Sequence, residues 1–175
     1  GEDGYFCGLS MLETFSCSNN CLTKLPDLFS ARSIYTMLTA NFSSNDISEL
    51  ENGEQWRGLN TETLNLADNR LTTIPTRIMD SGSIVNVLML SSNGIRTIEE
   101  GALIGPRSNA LTTIDLSFNR ITELPKEDFS NTNIRYLYGI DLSSNALSEF
   151  PRGLLDIETL TVVSIRQQRD DEGNR

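Results

Sequence analysis

The side chains that most often carry chemistry are sparse in this 175-residue chain. It contains no histidine, so no Ser-His-Asp or Cys-His nucleophile system and no imidazole-ligated metal can be assembled. No GxxxxGK phosphate loop ending in Ser or Thr occurs, and no GxGxxG stands between a strand and a helix. Cys7, Cys17 and Cys21 offer three thiols where a closed zinc site takes four ligands. Carboxylates are plentiful, but none falls where a deep pocket is expected. Catalysis, a cofactor and a metal are therefore not expected. Asp115 and Asp141, each opening an Asp-Leu-Ser tripeptide, are the pair whose placement matters most.

Placement follows from the apolar pattern around them. In Leu111 to Pro125, LTTIDLSFNRITELP, apolar residues and one asparagine fall at offsets 1, 4, 6, 9, 11 and 14. Ile114 and Leu116 alternate as in a strand, Asn119 closes it, and Ile121 and Leu124 return to the same side. Such a unit has one apolar side and needs copies to cover it. The copies are present. Asn20, Asn45, Asn69, Asn93, Asn119 and Asn145, then Gln168, recur at intervals of 23–26 residues, with the same apolar offsets around each. Thr61 replaces the opening leucine, Ala40 and Cys17 stand inside strands, and the seventh copy has a strand but no return segment.

The pattern LxxLxLxxNxLxxLP resembles the leucine-rich repeat, whose period is 20–29 residues. The resemblance covers Leu12 to Gln168, nearly the whole chain. It implies an α/β class: a right-handed solenoid arc of about seven repeats, with a parallel β-sheet on the concave face. The convex segments would be short helical, 3₁₀ or irregular pieces. The first strand, FSCSNN, resembles cysteine-bearing strands of bacterial surface proteins of this family.

The asparagine amide, which donates and accepts, is expected to satisfy backbone groups in a buried turn. Pro26, Pro75, Pro125 and Pro151 follow the last apolar position, and a short turn should then send Leu28, Phe29, Ile78, Met79, Phe129, Leu154 and Leu155 toward the core. The second repeat lacks that proline. Its Asn52-Gly53 reads as a turn and its Trp56 as convex core filling.

With offsets 4 and 6 facing inward, offsets 3, 5 and 7 face outward on the concave sheet. This puts Asp115 and Asp141 on adjacent strands roughly 5 Å apart. Like charges so placed are mildly destabilising, which suits either a family-typical Asp-Leu-Ser or a pair awaiting a basic group or cation. Val87 and Met89 form an apolar patch on the fourth strand, flanked by Thr63 and Thr113. Asn65 lies on the same face. Phe118 and Tyr138, at the strand edges, either pack locally or serve as aromatic anchors.

A net charge of −10 and the lack of a Lys/Arg cluster argue against nucleic acid or an anionic membrane as partner. No run of about 18 apolar residues could span a membrane. Residues 1–11, with Tyr5, Phe6, Leu9 and Met11 among glycines, read as an N-terminal flank or cap of a single domain over 1–175. Residues 12–168 are the repeats and 169–175 a charged tail, and the array is expected to continue beyond it. Cys17 reads as a small buried thiol, the alternatives being a disulfide from Cys7 to the first repeat and zinc.

The functional expectation is a non-catalytic module binding a protein or peptide, on a bacterial cell surface or outside the cell. A rigid spacer in a larger surface protein is the alternative, and an intracellular regulator fits all but the cysteine strand. Carbohydrate adhesion is disfavoured by the lack of stacked aromatics on the concave face.

Overall fold

A computed structural model of the chain describes residues 12–25, 35–50, 59–76, 84–103, 110–126, 128–129 and 134–168. The expected flank at 1–11 with Cys7, the tail 169–175, Leu28, Phe29, Asn52-Gly53, Trp56, Ile78 and Met79 lie outside the described residues. Seven strands form one parallel sheet: β1 (Thr14–Ser16), β2 (Tyr35–Asn41), β3 (Leu59–Asn65), β5 (Ile84–Met89), β7 (Thr113–Asp115), β8 (Gly139–Asp141) and β9 (Val162–Ser164), in that spatial order. A second, two-stranded parallel sheet pairs β4 (Thr73–Ile74) with β6 (Thr97–Ile98) on the return paths of the third and fourth repeats. Consecutive strands sit side by side and all run one way, because each is followed by the same return path. The sheet has seven strands but encloses fewer complete turns than the seven repeats expected, since the last strand has no described return segment.

Register follows the repeat. The pairs Leu64 with Leu88, Leu88 with Ile114 and Ile114 with Ile140 stack offset 4 in one row. Leu66, Leu90, Leu116 and Leu142 at offset 6 are all fully buried, as are Ile47, Leu71, Ile95 and Ile121 at offset 11. These rows belong to one continuous core. The departures from consensus are absorbed within it. Thr61 is buried and donates its hydroxyl to the Thr63 carbonyl at 3.0 Å, and Ala40 is fully buried. Cys17 is half-buried and packs against the core as a free thiol, while Cys21 is exposed.

The asparagines form a ladder through the stack. Asn119 is typical: its Nδ2 donates to the Leu90, Leu116 and Ser117 carbonyls at 2.9, 3.0 and 3.1 Å, and its Oδ1 accepts from the Ile95 amide at 3.0 Å. Asn45, Asn69, Asn93 and Asn145 repeat the arrangement, each reaching back to the repeat before it. Gln168 reproduces it at the last strand, donating to the Leu142 carbonyl at 2.9 Å and accepting from the Leu147 amide at 3.0 Å. The residue before each ladder position is left-handed: Asn19, Ser44, Asp68, Ser92, Phe118, Ser144 and Gln167 all have φ of 54–57°. That twist turns the chain out of the strand. In the first six it also aims the amide at a carbonyl of the next repeat, 2.7–3.0 Å away. Asparagine and aspartate tolerate αL best among residues with a side chain, which accounts for Asn19 and Asp68.

On the convex side Phe129 and Leu154 are buried as expected, but Leu155 is 73% exposed. The segment Arg152–Asp156 is a 3₁₀ helix, and at three residues per turn it cannot send adjacent side chains inward together. Gly153 lets it approach: a Cβ there would stand 3.2 Å from the Phe129 carbonyl oxygen. A carboxylate joins two repeats nearby. Fully buried Asp128 accepts from the Gly101 amide at 2.6 Å and the Leu103 amide at 2.8 Å, and Gly101 adopts φ +82° to present its N–H.

Candidate interaction face on the concave sheet

The outward residues form two continuous rows across the strands. One runs Thr39, Thr63, Val87, Thr113, Gly139, Val162, and the next runs Ser16, Asn41, Asn65, Met89, Asp115, Asp141, Ser164. Six of the eight residues singled out in the sequence are therefore brought together. Asn65, Met89, Asp115 and Asp141 are consecutive in one row, with Val87 and Thr113 adjacent in the other. All six are half-exposed. The β5 strand that carries Val87 and Met89 is the middle strand of the seven.

Phe118 and Tyr138 do not join them. Phe118 follows the C-terminal end of β7 and Tyr138 precedes β8, so they sit on opposite rims of the sheet. Both side chains are more than half exposed, at 55% and 53%. The positions flanking Phe118 in its left-handed row are Ser92 and Ser144, too short to cover a ring. Around Tyr138, the neighbouring Tyr136 and Val162 are exposed as well, and Leu38 is exposed at the same rim. Sequence reasoning missed Tyr136 and Leu38. They flank the first apolar offset, Tyr136 just before Leu137 and Leu38 just after Met37, where Glu13, Glu62, Asn86, Thr112 and Thr161 stand in other repeats at the Leu38 position.

The Asp115–Asp141 pair has a structural duty the sequence did not disclose. Asp115 Oδ1 accepts from the Ser117 amide at 3.0 Å and from Ser117 Oγ at 2.7 Å, and Asp141 Oδ1 accepts from the Ser143 amide at 2.8 Å. Asn41 and Asn65 do the same for the Ser43 and Ala67 amides, both at 3.0 Å. Ser16 does so more weakly for Ser18, at 3.5 Å. At β2, β3, β7 and β8 the row caps the amide that leaves the strand, which accounts for its Asn and Asp residues. The second carboxylate oxygen of Asp115 and of Asp141 has no protein partner among the described residues, and both side chains are half-exposed. Met89 interrupts the series, since a thioether is only a weak acceptor. Among the described residues the Ser91 amide N–H and hydroxyl have no partner, while the Ser91 carbonyl accepts from the Asp68 amide.

No group of three or more His, Cys, Asp or Glu side chains among the described residues could hold a metal ion. No helix among them is long and apolar enough to cross a membrane. A groove of about 600 Å³ lies on the return paths of the fifth and sixth repeats, lined by Leu124, Pro125, Phe150, Pro151 and Leu155 among others. Glu123, Lys126, Glu149, Arg152 and Asp156 line it as well, so its surface is mixed polar and apolar.

Known proteins place these features in context. Residues 60–108 match a model described as "Leucine rich repeat", and residues 110–132 match a second of the same description. The chain is 32% identical over 163 residues to leucine-rich repeat serine/threonine-protein kinase 1 of Mus musculus, covering 90% of this chain and 8% of that protein. A leucine-rich repeat protein of Bacteroides eggerthii superposes with a TM-score of 0.85 at 34% identity, covering 95% of this chain and 29% of the other. One from Bacteroides thetaiotaomicron gives 0.81 at 35% identity, covering 91% and 20%. This chain thus spans less than a third of each of these proteins.

Proposed function

The chain belongs to the leucine-rich repeat family, and from that premise we propose that it is a non-catalytic module whose concave sheet receives a protein or peptide partner. The observation that carries this reading is the row structure of the face. Short polar side chains dominate it, and the apolar pair Val87 and Met89 stands at the middle strand beside two outward carboxylates. Repeating strands form a broad, rigid ledge, and a rigid ledge loses little entropy when a partner docks. Phe118 and Tyr138, exposed on opposite rims, add the aromatic surface that partner contacts favour. The kinase in the name of the mouse relative does not transfer through an 8% match. A cell-surface setting is supported by the likeness to the two Bacteroides proteins and by the cysteine in the first strand.

The test compares the wild type with a variant carrying Met89→Asn, Asp115→Asn and Asp141→Asn. All three keep or restore a turn cap, as Asn41 and Asn65 show that asparagine fits there. Chemical crosslinking on cells of the source organism, read by mass spectrometry, should give a protein joined to the wild type and missing from the variant. Identical crosslinked sets would instead favour a spacer, whose action depends on repeat number and not on this face.

A further inference from the structure

We infer that the partner contributes an extended segment with an apolar side chain two residues before a lysine or arginine, laid across the strands from β5 toward β8. This rests on the interaction-module reading and specifies its ligand. The starting point is the interrupted series of caps. At β2, β3, β7 and β8 an Asn or Asp accepts from the amide two residues on. At β5 Met89 cannot, and among the described residues the Ser91 N–H and hydroxyl have no protein partner. Two donors therefore stand beside the apolar pair Val87 and Met89, where a partner can place an apolar side chain and one backbone carbonyl together.

The neighbouring strands set the next contact. Asp115 is one strand from Met89 and Asp141 two. At about 4.8 Å per strand, the midpoint of the carboxylates lies about 7 Å from Met89. In an extended chain, side chains i and i+2 point the same way about 6.6–6.8 Å apart. A segment lying across the strands with its apolar side chain on Met89 thus delivers the i+2 side chain between Asp115 and Asp141. Each aspartate uses one oxygen for its turn amide and keeps the other for a ligand. A cation there relieves the like-charge contact and matches the chain's net charge of −10. Neither an anionic nor a purely apolar segment gains both contacts.

The probes are two capped pentapeptides, Ser-Leu-Ser-Arg-Ser and its respaced isomer Ser-Leu-Arg-Ser-Ser, titrated into the isotopically labelled chain by NMR. The first should shift the Ser91 amide and the Asp115 and Asp141 carboxyl signals saturably, with a Kd about fivefold tighter than the isomer. Met89→Asn, which supplies the missing cap, should abolish the Ser91 shift. Asp115→Asn with Asp141→Asn should erase the preference between isomers. No saturable shift, equal Kd for both peptides, or binding indifferent to Met89→Asn would each overturn the inference. The crosslinking comparison above reads the module proposal independently, so this can fail while that stands.

Discussion

Replacing Asn119 by leucine measures what the asparagine ladder contributes, and the hydrogen bonds define the expected size. The substitution removes four contacts, but three acceptors keep another donor. The Leu90 carbonyl still accepts from Asn93 Nδ2 at 3.1 Å, the Leu116 carbonyl from Asn145 Nδ2 at 2.9 Å, and the Ser117 carbonyl from the Ser92 amide at 3.0 Å. The Ile95 amide loses its sole partner, in a fully buried residue. An orphaned buried donor costs about 1–3 kcal/mol, and carbonyls left with one donor in place of two cost less. Forcing a branched apolar group into the turn adds further strain, for about 2–4 kcal/mol in all. In a chain of this length that lowers the melting temperature by on the order of 10 °C.

Two companion variants locate the cause. Asn119→Asp keeps the acceptor for Ile95 but turns an oxygen toward the three carbonyls, so it should be at least as destabilising as leucine. Gln168→Leu removes the matching bond to the Leu147 amide at a half-exposed position, where water can replace it, and should cost less than half as much. Circular dichroism melts give the ranking, and hydrogen exchange at Ile95 gives the local readout. The reasoning is refuted if Asn119→Leu melts within about 1 °C of the wild type, or if the Ile95 amide stays protected in it.

Two further substitutions probe features that the repeat pattern does not predict. Phe118→Asn relieves an αL cost of about 1–2 kcal/mol and gives up less than half of the about 1.5–3 kcal/mol that full burial of a ring provides. With the ring 55% exposed, the variant should melt at or up to about 4 °C above the wild type, whereas a fall of several degrees would show that the ring packs. Asp128→Leu should cost about 2–5 kcal/mol in guanidinium unfolding, because the Gly101 and Leu103 amides both lose their acceptor. Asp128→Asn keeps one oxygen and should cost about half of that. Equal losses from the two would show that charge and not amide capping matters.

The fold was legible because its signal is repeated. Six copies of one apolar spacing fix strand direction, the inward rows and the ladder, and any single departure, such as Thr61 or Gln168, is corrected by its neighbours. The left-handed row was available only in part, since Asn19 and Asp68 are residue types that favour φ > 0 and a rule of apolar periodicity does not look there. Asp128 could not be found this way. It stands in the polar run Lys126-Glu127-Asp128, and only the arrival of the fourth repeat's Gly101–Leu103 loop separates it from a surface acid. The Asp115–Asp141 pair was placed correctly and half understood. Its position followed from period-2 alternation, while its turn-capping duty depends on a backbone bend just beyond the strand.

The same redundancy explains why function is harder to read than fold. A position that obeys the repeat in every copy is already accounted for by stacking: the Asn ladder, the leucine rows and the Asn and Asp caps would be present whatever the partner. Information about a partner can reside only where one copy departs from its siblings without a gain in stability. Met89 gives up a cap that four other strands keep, and Phe118 holds a bulky ring in a backbone conformation the other repeats assign to smaller or polar side chains. Thr61 shows the contrasting case, a departure that mends itself through a bond to the Thr63 carbonyl. Met89 and Phe118 have no such repair among the described residues. In the proposed reading a docked partner supplies the compensation, and Asn41, Asn65 and Asn19 supply the control: asparagine at either position should leave the fold intact while removing that contact.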